Sequence, residues 1–443
     1  MLSRTLSFSD ARHLTVRAAF GADLNLISKF EGSNKTNAIK WLLSGRRDVP
    51  RPSGITEYTT FLETRKGMDK GQKKLFRKQM RKEAYELKIW WCAQLSTTNA
   101  PLVERMTLFW HNHFTSSFKK VKSPDLLLRQ NRLLRRHAIG KFSDLLYDIA
   151  RDPAMLIYLD SNNNRKGQPN ENFARELLEL FTLGTDHYTE KDIKSAALAF
   201  TGWGIDRKSG DFRIKPKQHA TQPVRFLGWR IESDGNAVIN RLLRHPRTAE
   251  FIVEKMWHEF ISNEPPDPRT LRDLTHRFRR SGYSIKALLE GIFHCDRFWD
   301  PGVRGTIVKS PIDLLVGAFR ELDISTDDGP TWLARRCRRL GQDLFDPPNV
   351  KGWPGGVSWI TAETLALREQ YISQLVRGLE PQGGGMMQSS EASRNLKPLW
   401  LSELKSESLE HWLLPTTETT HRLREDKWEM LKTITSDSLY QLK

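Results

Sequence analysis

The hydrophobic positions of the chain recur mostly at three- and four-residue intervals, which is the spacing of an amphipathic helix. With capping residues at the interruptions, this pattern predicts a long helix at 73–94. Shorter helices are predicted at 102–113, 124–139, 142–150, 170–183, 189–201, 235–244, 247–262, 268–280, 284–294 and 309–321. Residues 212–214 and 224–227 instead have the pattern of two short strands around a polar loop. We therefore predict an all-α, multi-helix globular bundle with a small β-hairpin insertion near 211–231.

Three regions are expected along the 443 residues. Residues 1–100 form an N-terminal helical region with a basic helix, and residues 101–380 form a helical core that carries the hairpin. Three glycines at 383–385, followed by Gln-Ser-Ser at 388–390, are typical of a flexible linker. Residues 381–443 therefore comprise this linker and an amphipathic helical tail rich in Leu and Trp.

Composition excludes several classes of protein. With 21 Phe and 14 Trp the chain is far too aromatic to be disordered. Its three cysteines lie far apart, which excludes a disulfide framework and a cysteine-built zinc site. No apolar run approaches the roughly 18 residues of a transmembrane helix. The first ten residues hold one arginine and no apolar segment, so we expect no secretory signal and, as the sequence is written, a cytoplasmic protein.

The net charge of +17 is concentrated in one stretch of the chain. Residues 65–82 contain nine Lys or Arg residues and one Asp. Lys74, Lys78, Arg81 and Lys82 recur at helical spacing and can share one face, which could bind phosphates or anionic lipid. A solvated helix face explains the same charge. We favour that explanation because no nucleic-acid-binding motif accompanies the basic residues.

The first candidate for chemistry is the histidine pair of the motif Phe-Trp-His-Asn-His-Phe at 109–114. On a continuous helix, His111 and His113 point about 200° apart and cannot bind one metal ion. If the helix ends at His111 and the chain extends, both imidazoles face one side and can bind a divalent transition metal. The alternative is that both are hydrogen-bonded histidines of the core.

A polar loop and the helix after it supply the second group of candidates. Residues 162–170 are so polar that the loop should be solvated or face a ligand. Asn170 is the expected N-cap of the helix, which then places Glu176 and Glu179 three residues apart. Arg175 should lie beside Glu179 at the four-residue step. Paired carboxylates near histidines are typical of di-metal or hydrolytic sites, whereas an Arg–Glu network that joins helices would use the same residues without a reaction.

A third candidate region is the Pro- and Gly-rich segment 344–359, which contains two tryptophans. Aromatic faces beside the polar groups of Asp346, Asn349 and Lys351 suit a sugar or a peptide. The prolines restrict the loop and lower the entropy cost of an ordered binding surface. Alternatively, Trp353 packs into the helical core and holds the loop in place.

Six segments together carry a family resemblance. They are Phe-Trp-His-Asn-His-Phe at 109–114, Arg-Asp-Pro-Ala-Met at 151–155, Arg-Lys-Gly at 165–167, the block at 169–184 with Asn-Glu-Asn-Phe-Ala-Arg-Glu, Ala-Phe-Thr-Gly-Trp at 199–203, and 345–356. They resemble the bacterial domain-of-unknown-function family 1800, over roughly residues 10–380 and without the tail at 386–443. The resemblance implies a mainly helical bacterial protein of no established activity. Relatives often carry an export signal and are often encoded beside family 1501, whose members resemble sulfatases and alkaline phosphatases.

Two hypotheses of function follow from these candidates. The first is a metal-assisted, hydrolytic enzyme with a polar pocket. Its catalytic residues would be Glu176, Glu179, His187 and Arg175, its metal ligands His111 and His113, and its substrate-binding residues Asn162, Asn164, Asn170, Asn172, Asp346, Asn349 and Trp353. The second is a non-catalytic accessory or assembly protein that acts with a partner such as a family-1501 sulfatase-like protein, its polar residues paired internally. Nucleic-acid binding is the least favoured.

Overall fold

The computed structural model describes residues 5–46, 48–65, 67–379, 408–416 and 426–443. The first half of the chain forms α1 Phe8–Ala18, α2 Leu24–Phe30, α3 Lys35–Leu42, α4 Tyr58–Arg65, α5 Lys70–Thr97, α6 Pro101–His113, α7 Phe118–Val121, α8 Pro124–His137, α9 Phe142–Ala150, α10 Pro153–Tyr158, α11 Asn172–Glu176 and α12 Glu190–Ala199. The second half forms α13 Gly235–Arg244, α14 Pro246–Phe260, α15 Pro268–Arg280, α16 Ile285–His294, α17 Asp296–Trp299, α18 Pro311–Glu321, α19 Gly329–Arg339, α20 Ala362–Leu379, α21 Ser408–Leu413 and α22 Lys427–Thr435. The predicted mostly helical globular fold is confirmed.

The β insertion contains the two predicted strands, but they do not pair with each other. Strand β2 Phe212–Ile214 is antiparallel to β1 Trp203–Ile205, and β3 Val224–Phe226 is antiparallel to β4 Trp229–Ile231. Leu227 and Gly228 both have positive φ, as a two-residue type I′ turn requires, so β3 folds back directly onto β4. The predicted β insertion is confirmed, and it consists of two short hairpins in which each predicted strand pairs with a neighbour that the sequence analysis did not predict.

The longest helix, α5, has two halves of different character. It begins at Lys70, where Asp69 and Gln72 form a reciprocal capping box. Between positions 70 and 79 every side chain is exposed except the half-buried Phe76. The second half buries Leu87 and Trp91 completely against α18 and α19. The basic half of the helix therefore extends along the surface while the apolar half anchors it in the core.

A buried ion pair joins α5, α6 and α8. The guanidinium of Arg135 donates two hydrogen bonds to Glu104, at 2.6 and 2.9 Å, and the indole N–H of Trp91 donates a third at 3.1 Å. Both charged side chains are almost fully buried. Because each oxygen of Glu104 has a donor, the desolvation of the pair is offset, and the position of α6 is fixed relative to its neighbours.

The described part of the C-terminal segment packs against the N-terminal helices. The indole N–H of Trp412 donates to the carbonyl of Ala22 at 2.6 Å, and Arg12 donates to the carbonyl of Trp412 at 2.6 Å. The Nζ atom of Lys443 forms a buried ion pair with Asp313 at 2.7 Å. These contacts make α21 and α22 part of the same core. The predicted linker at 383–390 lies outside the described residues.

No helix within the described ranges combines the length and the apolar composition of a bilayer-spanning segment.

Candidate functional site

His111 and His113 lie on opposite sides of α6. His111 is 1% exposed, and its Nε2 accepts a hydrogen bond from the backbone N–H of Phe345 at 3.3 Å. The Nε2 atom of His113 lies 3.1 Å from the carbonyl of Phe181 and therefore carries the proton. Burial lowers the pKa of His111 to about 3. Burial, together with the charge of Lys255, lowers the pKa of His113 well below its ordinary range. Both histidines are therefore neutral core residues.

The condition for joint metal binding by these two histidines is not met. Helix α6 continues through His113, and residues two positions apart on a helix diverge by about 200°. Within the described ranges, no group of three or more His, Cys, Asp or Glu side chains is placed to hold a metal ion. The histidines therefore match the core alternative.

The asparagines of the polar loop hold backbone segments together. The Oδ1 atom of Asn162 accepts from the backbone N–H of Ile205 at 2.8 Å. The buried Asn164 donates to the carbonyl of Ala197 at 2.8 Å and accepts from the N–H of Asn170 at 3.0 Å. Asn170 accepts from the N–H of Asn172 at 2.9 Å, so α11 begins at Asn172 rather than directly after Asn170. These bonds set the shape of the loop, and Asn172 is exposed at its end.

Arg175 pairs with carboxylates other than Glu179. It forms two hydrogen bonds with Glu190 on α12, at 2.8 and 2.9 Å, and one with Glu171 at 3.2 Å. A planar guanidinium fits both oxygens of Glu190 at once, which favours this pair over the neighbour expected at the four-residue step. Arg175 therefore joins α11 to α12.

His187 lies in the segment that precedes α12. It is exposed, and its charge, after burial and the charge of Arg241, helps to lower the pKa of His245 at the start of α14. The structure therefore places His187 near His245. It does not bring together the predicted set of His111, His113, Glu176, Glu179 and His187.

The tryptophan loop is held down on α6. The backbone N–H of Trp353 donates to Oδ1 of Asn112 at 2.7 Å, and the side chain of Trp353 is 4% exposed. Gly352, at φ 82°, approaches Asn112 so closely that a Cβ atom would lie 2.2 Å from the same oxygen. Trp353 thus matches the core alternative, and its ring is closed to a substrate. Asn349 is exposed and accepts from the N–H of Lys351 at 2.9 Å.

Two glutamates, two tyrosines and a lysine form a further polar group, in which Lys351 is exposed, Glu176, Glu179 and Tyr188 are half-buried, and Tyr158 is buried. This Glu176 cluster consists of Tyr158 at the end of α10, Glu176, Glu179, Tyr188 before α12, and Lys351 from the tryptophan loop. Burial and the charge of Glu179 raise the pKa of Glu176, while Lys351 and Arg175 oppose the shift. Burial and the charge of Glu176 likewise raise the pKa of Tyr158. Together with the hydrogen bond from Tyr188 to Glu179, these charge interactions link the five side chains in pairs.

The helix that carries the glutamates is irregular at this patch. Residues Leu177–Thr182 form a π-helix directly after α11, and the backbone N–H of Leu183 donates to the carbonyl of Leu178 at 2.8 Å. The hydroxyl of Thr182 also bonds the carbonyl of Leu177 at 2.6 Å. π-Helical turns are rare and occur frequently at functional sites, because they displace side chains from α-helical register. Glu179 lies within this π-helical segment.

Asp346 lies at the edge of the Glu176 cluster. It accepts a hydrogen bond from the hydroxyl of Ser117 and lies 3.5 Å from Nζ of Lys119. Its negative charge adds to the raised pKa of Tyr158. Nearby Lys120 pairs with Asp160 at 2.6 Å. Acidic side chains and lysines therefore both occur in this part of the surface.

The arrangement can transfer protons. A glutamate whose pKa is raised keeps its proton at a higher pH than an exposed carboxyl group, which is the requirement for a general acid. The hydroxyl of Tyr188 donates to Oε2 of Glu179 at 3.2 Å and orients that carboxylate. Two carboxyl groups in different environments are thus adjacent, with Lys351 able to stabilise a developing negative charge.

Three members of the Glu176 cluster received no role in the sequence analysis. Lys351 was noted only for its hydrogen-bonding capacity, and Tyr188 lies just before the Thr189 cap of α12. Tyr158 ends α10 and carries no local signal. Of these three residues, only Tyr188 could have been suggested by the sequence. It lies in the loop between a helix end and the N-cap of the next helix, and such loops often carry functional residues.

Comparison with known proteins identifies the family. Neither a curated protein nor a solved structure matches the chain. A family model described as a protein of unknown function, DUF1800, matches residues 13–442. The match runs well past residue 380, so the C-terminal segment that the sequence motifs left out is part of the family pattern. The chain belongs to the DUF1800 family.

Proposed function

We propose that this protein is a hydrolytic enzyme in which Glu176 is the general acid. The observation that carries the proposal is the half-buried position of Glu176 beside Glu179, whose carboxylate is held by Tyr188; burial and the charge of Glu179 raise the pKa of Glu176 there. An exposed surface glutamate has neither effect. Groups whose pKa is shifted by burial and by a specific charged neighbour concentrate at active sites.

The two glutamates would divide the proton transfers of hydrolysis. Glu176 donates its proton to the leaving atom as the scissile bond breaks. Glu179, oriented by Tyr188, accepts a proton from the attacking water, and Lys351 faces the negative charge that develops. Both carboxyl groups then return to their starting states by exchange with solvent.

The two histidines proposed as metal ligands are not placed to bind one metal ion together. His111 and His113 are buried on opposite sides of α6 and bond to backbone groups instead. They do not fit a shared metal, so no step of the proposed reaction uses one. A divalent cation bound by Glu176 and Glu179 alone is a distinct alternative, which chelation separates from acid–base catalysis.

A panel of chromogenic 4-nitrophenyl esters, phosphates, sulfates and glycosides tests the proposal. We expect the substitution Glu176→Gln to lower turnover by about 100-fold or more, since general acid catalysis contributes on that order. The matched control is Glu171→Gln, which removes a carboxylate that pairs with Arg175 and lies outside the Glu176 cluster, so turnover should change by less than about twofold. EDTA should have no effect. Equal turnover of wild type and Glu176→Gln would refute the role of Glu176.

A non-catalytic accessory role is the second candidate, and a separate observation supports it. The polar side chains of Asn162, Asn164 and Arg175 are used in internal hydrogen bonds, as that hypothesis requires. Absence of turnover on the whole panel, with retention of a family-1501 sulfatase-like protein on the immobilised chain, would favour the accessory role.

A further inference from the structure

We propose that the exposed half of α5 docks this protein on anionic phospholipid membranes. The inference is independent of the Glu176 cluster and of the proposed hydrolysis. The surface is a basic strip of seven cationic residues, Lys70, Lys73, Lys74, Arg77, Lys78, Arg81 and Lys82, all of them exposed.

The seven side chains of the basic strip lie on one side of α5. At 100° per residue its seven positions fall within an arc of about 180° on α5, over a length of roughly 18 Å. The buried residues Met80 and Leu87 lie outside this arc, on the side that faces the core. The cations can therefore approach one flat surface together.

The positive charges of the basic strip are also not paired with acidic side chains among the described residues. Among the described residues, none of its seven members forms an ion pair or a side-chain hydrogen bond. Elsewhere on α5 the charge is matched, as in the pair of Lys88 with Asp343 at 2.6 Å. No acidic residue occurs between Lys70 and Lys82. A concentration of unmatched positive charge attracts a surface of fixed negative charge.

An exposed leucine distinguishes lipid from other anionic partners. Leu75 is 69% exposed and lines a shallow depression with Met68, Phe76, Lys78 and Lys82. At a bilayer surface the apolar side chains enter the boundary of the acyl chains while the lysines bind phosphate headgroups. A nucleic-acid backbone would satisfy the lysines but would leave Leu75 in water. The exposed Leu75 beside the lysines therefore favours lipid over nucleic acid.

Helix α19 extends the positive surface. Arg335 donates to the hydroxyl of Tyr85 at 3.1 Å, and Tyr85 lies on the same face of α5 as the basic strip. Arg335 and Arg338 are exposed there. The footprint that faces the membrane thus continues from the exposed half of α5 onto the body of the protein.

Vesicle sedimentation of the full chain tests the proposal. One vesicle is pure phosphatidylcholine and the other is equal parts phosphatidylcholine and phosphatidylglycerol, each at low and high sodium chloride. The strip variant is Lys73→Gln/Lys74→Gln/Arg77→Gln/Lys78→Gln, since Gln preserves helix propensity. The control variant is Lys208→Gln/Lys217→Gln/Arg225→Gln/Arg230→Gln, which removes the same charge from other exposed positions.

We expect binding to the anionic vesicles only, weakened by salt. The strip variant should bind about 600-fold more weakly, because it loses four basic residues and each basic residue near an anionic bilayer contributes roughly fivefold. The control variant should retain most of the affinity, and Leu75→Ser should lose about tenfold. Equal losses in the strip and control variants would overturn the proposal. So would tighter binding to a DNA duplex than to vesicles, unchanged by Leu75→Ser.

Discussion

The hydroxyl of Tyr188 donates a hydrogen bond of 3.2 Å to Oε2 of Glu179 and so links the loop before α12 to the π-helical segment. Burial and the charge of Glu179 raise the pKa of Tyr188 to about 12. The phenol therefore stays protonated throughout the physiological range and remains a donor. Tyr188 therefore helps to fix the orientation of Glu179 beside Glu176.

Tyr188→Phe tests Tyr188 as a positioning residue. The substitution removes one hydrogen bond to a carboxylate, so we expect a loss of about 1 kcal/mol in the free energy of unfolding. We also expect kcat on a hydrolysed substrate to fall about tenfold with KM nearly unchanged, because only the orientation of Glu179 is lost. Urea denaturation and steady-state kinetics measure both effects. A change in KM alone would instead assign Tyr188 to substrate binding.

Glu176→Gln should make stability less dependent on pH. The pKa of Glu176 is raised in the folded state, so its protonated form favours folding, and this contribution is lost as pH rises through the folded-state pKa. Gln imitates the protonated carboxyl group at every pH. Melting temperatures of the variant and of wild type should therefore coincide near about pH 4, and the variant should be the more stable near about pH 8.

Glu171→Gln is the control for this comparison. Because the substitution breaks an ion pair with Arg175, its melting temperature should not exceed that of wild type at any pH. A stability difference between wild type and Glu176→Gln that does not grow with pH would contradict the assignment.

His111→Gln tests the core role of His111. The pKa of His111 is about 3 in the folded state and about 6.5 when unfolded. Between these values only the unfolded chain takes up the proton, so stability falls as pH drops below about 6.5. Gln can accept from the N–H of Phe345 without titrating. We expect the variant to lose about 1 kcal/mol less than wild type for each pH unit below 6.5 in urea titrations. Identical pH dependence would show that His111 is accessible.

The sequence predicted the fold in outline because helical periodicity is a local property. Helix α5 was expected at 73–94 and spans Lys70–Thr97. The prediction of which strands pair was wrong. Strand β1 Trp203–Ile205 is only three residues long and shows no alternation of polar and apolar residues, so the sequence did not indicate it as a partner for β2. The turn at Leu227 and Gly228 required a positive φ at a leucine, which is uncommon for that residue.

The candidate site could likewise be predicted only where its residues are close together in the sequence. Helical spacing correctly paired Glu176 with Glu179, and both belong to the Glu176 cluster. Tyr158 and Lys351 come from elements far away in the chain, so no spacing rule could add them. The polar side chains of three other predicted site residues stabilise the fold instead. Each forms a hydrogen bond that joins two segments of the chain: Asn162, Asn164 and Arg175. Sequence alone does not separate such residues from ligands for a substrate.

Trp412→Ala tests the integration of the C-terminal segment. The indole is fully buried and donates to the carbonyl of Ala22. We expect a loss of about 4 kcal/mol in the free energy of unfolding, since a cavity forms and a donor is removed. The control, Trp428→Ala, removes a half-buried indole and should cost about half as much. Equal small losses in urea denaturation would mean that α21 is peripheral.

The most direct test of the central claim is a site-resolved titration of Glu176. Carbon-detected NMR of glutamate-labelled protein, assigned with Glu176→Gln, gives the pKa of this one carboxyl group in wild type and in Glu179→Gln. We expect a pKa above the ordinary 4.5 in wild type and a lower value in Glu179→Gln, where the neighbouring charge is gone. A pKa at or below 4.5 in wild type, unaffected by Glu179→Gln, would contradict the assignment of Glu176 as the general acid.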